Sequence, residues 1–214
     1  MIPTRSPARP RLRGAVHAVA GGIAPVVAVA LWLRATAGAE RQAVVVYGIT
    51  LTAMLVVSAA YHRGGWSVIT RRRMKALDHT TIFAFIVGSY VPLAVITLDG
   101  AVRIAFLGSL TALALAGIFV KLRLLDRLGG PADVLYGIAT WWALLILVPA
   151  AHALSVPDLL LLFGGIVLYS VSAGCLGRRW FDPAPQTFGY HEVAHSVVVL
   201  AVACHYLLYW KAFG

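Results

Sequence analysis

Seven stretches of this sequence are each apolar over about 20 residues, and short polar connections separate them. Their approximate limits are 14–34, 41–62, 78–98, 102–122, 132–153, 157–177 and 189–212. A helix crosses the hydrocarbon core of a bilayer with about 17–25 mainly apolar residues. Because a backbone in lipid must satisfy its own hydrogen bonds, we predict an all-α membrane protein, a bundle of seven transmembrane helices.

The composition agrees with a membrane location. The chain is 60% hydrophobic and 12% charged, with a mean hydropathy of +0.84, whereas a soluble domain is about half apolar and a quarter charged. We predict a basic tail over residues 1–13 and one transmembrane domain over residues 14–214. The two cysteines, Cys175 and Cys204, lie inside apolar runs and are too few for a disulfide framework, so we expect them to be small buried hydrophobes.

The cations fall unevenly on the two sides of the predicted bundle. If successive segments cross in alternate directions, fourteen of the 18 Lys and Arg residues share the side of the N-terminus. These are Arg5, Arg9, Arg11, Arg13, Arg63, Arg71, Arg72, Arg73, Lys75, Lys121, Arg123, Arg127, Arg178 and Arg179, against Arg34, Arg41, Arg103 and Lys211 on the other side. The positive-inside rule then predicts a cytoplasmic N-terminus and an external C-terminus. The net charge of +10 is a signal of topology, and we expect no nucleic-acid partner.

Polar residues from distant segments are predicted to meet near the cytoplasmic face. Ionisable residues at membrane depth are costly, so each marks a candidate functional site. They are Ser58 and His62 at the end of the second segment, Asp78 at the start of the third, and His191 and His195 at the start of the seventh. Alternating helices place these five residues at one level of the bundle.

The types and spacing of these residues indicate a metal site. His191 and His195 are four positions apart, so both imidazoles leave one face of a helix. Together with His62 they make a three-histidine set suited to zinc, with a fourth position left for water. Asp78 could hold that water or act as the general base. Ser58, one turn from His62, could hydrogen-bond the water or a substrate carbonyl.

The HEVAH pattern at residues 191–195 also matches the H-E-x-x-H signature of zinc metalloproteases. A protease of the membrane type would need a distant aspartate, and Leu98-Asp99-Gly100 offers one. On the predicted topology Asp99 lies on the external side, about 30 Å from the histidines. We therefore reject the protease interpretation, and we expect Glu192 to favour the N-terminus of its helix.

Three further histidines lie outside this set of five residues. His79 lies about 100° around the helix from Asp78, so we expect a packing role at the membrane interface. His205 is ten residues beyond His195, about 15 Å along a helix, and we expect a buried, hydrogen-bonded histidine. For His17, at the start of the first segment, we expect a position that caps or lines the entrance to the site.

Three blocks of sequence resemble a known family. SAAYH (58–62), LDHTTIFAFIVGSYVPL (77–93) and HEVAHSVVVLAVACHY (191–206) look like the signature blocks of the haemolysin III branch of the progestin and adipoQ receptor superfamily. The resemblance spans nearly the whole chain. Seven helices with a cytoplasmic N-terminus also agree with it.

The resemblance implies roles for the candidate site residues. His62, His191 and His195 would bind zinc, Asp78 would contact the zinc-bound water, and Ser58 would lie close to the metal. Related adiponectin receptors and alkaline ceramidases imply hydrolysis of an acyl-amide lipid. Bacterial members, named for haemolysis and associated with membrane-lipid homeostasis, imply a multi-pass protein of the bacterial inner membrane that acts on membrane lipids.

One block departs from the family pattern. The family usually has E-x-x-N-x-x-x-H around the first-helix histidine, and here Pro10 and Arg13 stand in the two polar positions before His17. The role of that block is therefore not carried over. Gly88 and Pro92 match the family pattern and would equally suit ordinary helix packing.

Four functions are compatible with these features. The first is a zinc-dependent hydrolase of lipid amides, and the second is a non-enzymatic sensor or receptor with a structural zinc. The third is a pore-forming cytolysin, which only the family name favours. A transporter is the fourth, although few polar residues reach the middle of the predicted bilayer. Whether the protein is an enzyme, its substrate, its oligomeric state and its protein partners stay open at this stage.

Overall fold

The computed structural model describes residues 10–124 and 131–213, and they form a bundle of helices. The helices are α1 (Ala15–Arg34), α2 (Ala39–Arg63), α3 (Val68–Thr97), α4 (Gly100–Arg123), α5 (Pro131–Thr140), α6 (Leu147–Ala153), α7 (Val156–Arg178) and α8 (Tyr190–Ala212), with a 3-10 helix at Trp142–Ile146. Within these described ranges, seven spans are long and apolar enough to cross a membrane, the fifth being Asp133–Ala153. The predicted all-α seven-span fold is confirmed. Residues 1–9 of the predicted tail, Arg127 and Gly214 lie outside the described residues.

The helices run alternately up and down, and the first span packs against the last. Consecutive helices are in contact from α1 to α5, α7 packs on α8, and α1 also packs on α8. At one end, Arg34 of α1 donates a hydrogen bond to the carbonyl of Trp210 in α8 at 2.5 Å. We call the opposite end, with the starts of α1, α3 and α8 and the ends of α2 and α4, the amino-terminal side.

Helix α3 begins at Val68, ten residues before the approximate start that was predicted for the transmembrane segment at residue 78. The Ser67 side chain accepts a hydrogen bond from the Thr70 backbone N–H at 3.3 Å and caps the helix. Hydropathy reports where a helix enters lipid, and it does not report where the helix begins. The first ten residues of α3 therefore form an overhang beyond the apolar part of the span.

The fifth span is broken, although one continuous helix was predicted over residues 132–153. Pro149 cannot donate a hydrogen bond to the carbonyl four residues earlier, and its ring crowds that carbonyl. Tyr90 of α3 compensates for the break. Its hydroxyl donates to the Thr140 carbonyl at 2.6 Å and accepts from the Ala143 N–H at 3.1 Å.

A glycine lets α2 and α3 approach each other closely. A Cβ atom added at Gly88 would lie 2.0 Å from the Thr50 Oγ1 atom, which no real contact permits. The small residue is therefore required where these two helices cross. This close packing holds the end of α2 and the start of α3 in contact, which brings His62 near Asp78.

The residues before α1 are tied to the loop before α8. The backbone N–H groups of Arg11 and Leu12 donate to the carbonyls of Gln186 and Thr187, each at 3.0 Å. We call residues 10–14 the amino-terminal strap. The strap connects the first and last spans directly beside the residues described next.

Candidate metal centre

Three imidazoles meet on the amino-terminal side of the bundle. His62 ends α2, whereas His191 and His195 lie one turn apart at the start of α8. One potential ligand atom from each ring lies within 4.8 Å of the others. Among the residues that the structure describes, this is the one group of three metal-ligating side chains with such spacing.

The spacing suits a tetrahedral metal ion. The Nε2 atoms of His62 and His191 are 3.1 Å apart. With metal–nitrogen bonds near 2.0–2.1 Å, two nitrogen ligands of a tetrahedral zinc ion lie ~3.4 Å apart. The same 3.1 Å distance is also compatible with a hydrogen bond between a protonated and an unprotonated ring nitrogen. For the His62 and His191 rings, the geometry thus admits a metal ion with little movement.

Asp78 brings a carboxylate to the same cluster. Its Oδ2 atom lies 4.0 Å from the Nε2 atom of His62, and the Ser58 hydroxyl lies close to its carboxylate. Both Asp78 and Ser58 are buried. A carboxylate in this environment needs a polar partner, because burial of an unpaired charge is costly. The site therefore combines three imidazoles, one carboxylate and one hydroxyl, as the sequence predicted.

His17 is in direct contact with the cluster, more closely than its predicted entrance position implied. Its ring stacks on that of His195, with centroids 3.7 Å apart and planes inclined by 4°. Both ring nitrogens of His17 are buried without a hydrogen-bond partner among the described residues. The sequence offered one signal for this contact, a histidine at the start of the first span. It could not supply the rotation of α1 against α8.

The stacking limits what His17 can do at a metal. A metal ion lies close to the plane of each imidazole that binds it, along the lone pair of the ligating nitrogen. Two parallel rings about one van der Waals thickness apart have no such point in common. His17 and His195 therefore cannot bind one ion together in this arrangement. The histidine set has three members, which leaves one coordination position of a tetrahedral ion open.

Glu192 is buried beside the site and has two polar partners. Its Oε2 atom accepts a hydrogen bond from the Gly189 N–H at 3.0 Å, at the start of α8. Its Oε1 atom lies 3.4 Å from the guanidinium of Arg13 in the amino-terminal strap. The expectation that Glu192 favours its helix N-terminus is confirmed. Arg13, one of the two departures from the family pattern, was not predicted to pair with it.

His79 and His205 lie outside the three-histidine group, and each ring contacts a backbone carbonyl. The Nδ1–H group of His79 donates a hydrogen bond to the Lys75 carbonyl at 2.8 Å, and the His79 carbonyl accepts one from the Tyr136 hydroxyl at 2.8 Å. His205 is buried deeper in the bundle, and its Nε2 atom is 3.1 Å from the Leu162 carbonyl. The predicted buried, hydrogen-bonded state of His205 is confirmed.

Asp99 does not take part in this cluster. It follows α3 at the end opposite Asp78, and its exposed carboxylate pairs with Arg103 at 3.2 Å. The 21 residues between Asp78 and Asp99 correspond to about 31 Å of helix. The structure thus agrees with the rejection of the protease interpretation.

Comparison with known proteins identifies the family. The sequence model of the family described as "Haemolysin-III related" matches residues 6–206, nearly the entire chain. The chain belongs to the haemolysin III-related family. With its seven apolar spans, this membership makes it a multi-pass bacterial membrane protein.

Two bacterial relatives are moderately similar to this haemolysin III-related chain. It is 29% identical to Hemolysin-3 of Bacillus cereus over 128 residues, which are 60% of this chain and 58% of that protein. It is 28% identical to the Hemolysin-3 homolog of Bacillus subtilis (strain 168) over 158 residues, 72% of this chain and 69% of the relative. The first match therefore spans less than two thirds of the relative. No solved structure matches the chain.

Proposed function

We propose that this haemolysin III-related protein is a zinc-dependent hydrolase of lipid amides that acts in membrane-lipid homeostasis. The observation that carries the proposal is the position of Asp78, 4.0 Å from a histidine of the three-histidine group. A zinc ion that only joins helices needs ligands. It does not need a buried carboxylate and a buried hydroxyl next to the residues that would bind it.

The donor set fits zinc better than a hard cation. Neutral imidazoles suit zinc, whereas magnesium and calcium prefer oxygen ligands. When bound there, zinc would supply Lewis acidity that polarises a carbonyl and activates water at neutral pH. The assignment of His62, His191 and His195 as its ligands is part of the proposal.

The protein side chains would move the proton and orient the substrate. Asp78 would accept the proton of the attacking water and return it to the leaving amine. Ser58 would donate a hydrogen bond to the oxygen that becomes negative as the amide carbonyl is attacked. An acyl-amide lipid could reach these groups sideways from the bilayer, because the site lies within the spans and not in an external domain.

Asp78→Asn tests the proposal against a structural role for the metal. With purified protein, long-chain ceramides and related acyl amides are the substrates, and release of the free fatty acid is measured. We expect Asp78→Asn to keep its zinc and to lose about 100- to 10,000-fold in rate, the usual contribution of a general base. Asp99→Asn, an exposed residue on the opposite side, is the matched control and should retain full activity.

Two other outcomes would replace the enzyme proposal. If zinc-loaded wild-type protein cleaves no acyl amide and Asp78→Asn retains function in cells, the protein is a sensor or receptor with structural zinc. If the pure protein releases dye from liposomes, it is a pore-forming cytolysin, as the name Hemolysin-3 of its Bacillus cereus relative would imply. The second result is judged against heat-denatured protein at equal concentration.

A further inference from the structure

The overhang of α3 carries exposed apolar residues next to cations. Val68 and Ile69 are 87% and 69% exposed, although they lie outside the apolar part of the span. Arg71, Arg72 and Arg73 follow within one turn. Apolar side chains in water are unfavourable, so this overhang is suited to the boundary between lipid headgroups and acyl chains.

A groove runs between this overhang and the end of α4. Its volume is about 490 Å³, within the range of small-ligand sites. The described residues that line it are Val68, Ile69, Arg72, Arg73, Ala76 and Leu122. On α3 these positions are spaced by three or four residues in two adjacent rows, so they share one helix face. The face has its guanidinium groups in the middle and apolar side chains above and below them.

The charge around the groove is positive. Lys75 lies on the same overhang and Arg123 ends α4, while none of the described carboxylates lines the groove. Two adjacent guanidinium groups above an apolar wall match a phosphate joined to acyl chains.

We propose that this groove binds an anionic phospholipid of the leaflet on the amino-terminal side. The phosphate would contact Arg72 and Arg73, and an acyl chain would lie along Ala76 and Leu122 toward the membrane interior. This site is separate from the histidine cluster, and its existence does not depend on the proposed hydrolase activity.

Lipid binding to the full-length protein in detergent tests the proposal. Native mass spectrometry would compare phosphatidylglycerol with zwitterionic phosphatidylcholine of the same acyl chains. We expect selective retention of phosphatidylglycerol and a binding affinity about 30-fold lower in Arg72→Gln/Arg73→Gln, at about fivefold per guanidinium. The matched control is Arg178→Gln/Arg179→Gln, which removes the same charge on the same side and should bind like wild type.

Two further measurements separate the groove from general charge. Ala76→Phe fills the groove and keeps every cation, so it should weaken phosphatidylglycerol binding as the double arginine variant does. Inorganic phosphate at equal concentration should not displace the lipid, because it has no acyl chain. Equal retention of both lipids, equal losses in the two arginine variants, full binding by Ala76→Phe, or displacement by phosphate would each overturn the proposal.

Discussion

Replacing His62 with alanine provides the most direct measurement of a shared metal site. Zinc binds four-ligand structural sites with about 10–16 kcal/mol, or about 2.5–4 kcal/mol per ligand. Removing one imidazole from the group of three should therefore weaken zinc binding by about 100- to 1,000-fold. His191 would keep its position on α8 but would lose the His62 ring, whose Nε2 atom lies 3.1 Å from its own.

The measurement is a competition titration with a chromophoric chelator, supported by metal analysis of detergent-purified protein. His205→Ala is the matched control, because His205 lies on the same helix, is buried and is bonded to Leu162 instead of the cluster. We expect the control to bind zinc like wild type. At a zinc concentration 100 times its dissociation constant, the metal should also stabilise wild-type protein by about 2.7 kcal/mol.

The competing explanation gives a different result. If the close approach of His62 and His191 is only a hydrogen bond, His62→Ala should cost about 1 kcal/mol of stability and chelators should change nothing. Wild-type protein without stoichiometric metal, or equal zinc affinities for the His62 and His205 variants, would refute the assignment of the ligands.

Three further predictions concern packing and buried charge. Arg13→Met should destabilise the fold by about 3 kcal/mol, because buried Glu192 would lose one of its two partners; adding Glu192→Gln should recover part of this loss in a chemical denaturation assay. Gly88→Ala should cost about 1–3 kcal/mol through its clash with Thr50, and Thr50→Ala should reduce that cost in thermal unfolding. Tyr90→Phe should cost about 1–3 kcal/mol, because the groups at the break in the fifth span would be unpaired; faster hydrogen exchange confined to that break would support the reasoning.

Much of the fold follows from the length of the apolar segments. The bilayer requires spans of about 20 residues. For six of the spans, every predicted limit lies within two residues of the observed one. The start of α3 is the exception. Nothing in hydropathy reports a helix that continues through Arg71–Arg73 into the interface, whereas the Ser67 cap does report it. A capping signal was therefore more informative there than composition.

Part of the histidine cluster was predictable because it follows from the periodicity of a helix and from the alternating direction of the spans. Helical periodicity places His191 and His195 on one face, and alternating spans bring His62 and Asp78 to the same level. The contact of His17 with His195 depends instead on how α1 is rotated against α8. The partner of Arg13 depends on the path of the strap before α1. Neither property is encoded in the local pattern of one segment.

The packing of the first span against the last has a consequence for biogenesis. His17 is inserted into the membrane early, but its neighbour His195 emerges from the ribosome 178 residues later. At translation rates of about 5–20 residues per second, this interval lasts about 10–40 s. During it, His62 and Asp78 are already in the bilayer without α8 beside them. A chain truncated before residue 190 should therefore be a substrate for membrane quality-control proteases, even though six of its spans are intact.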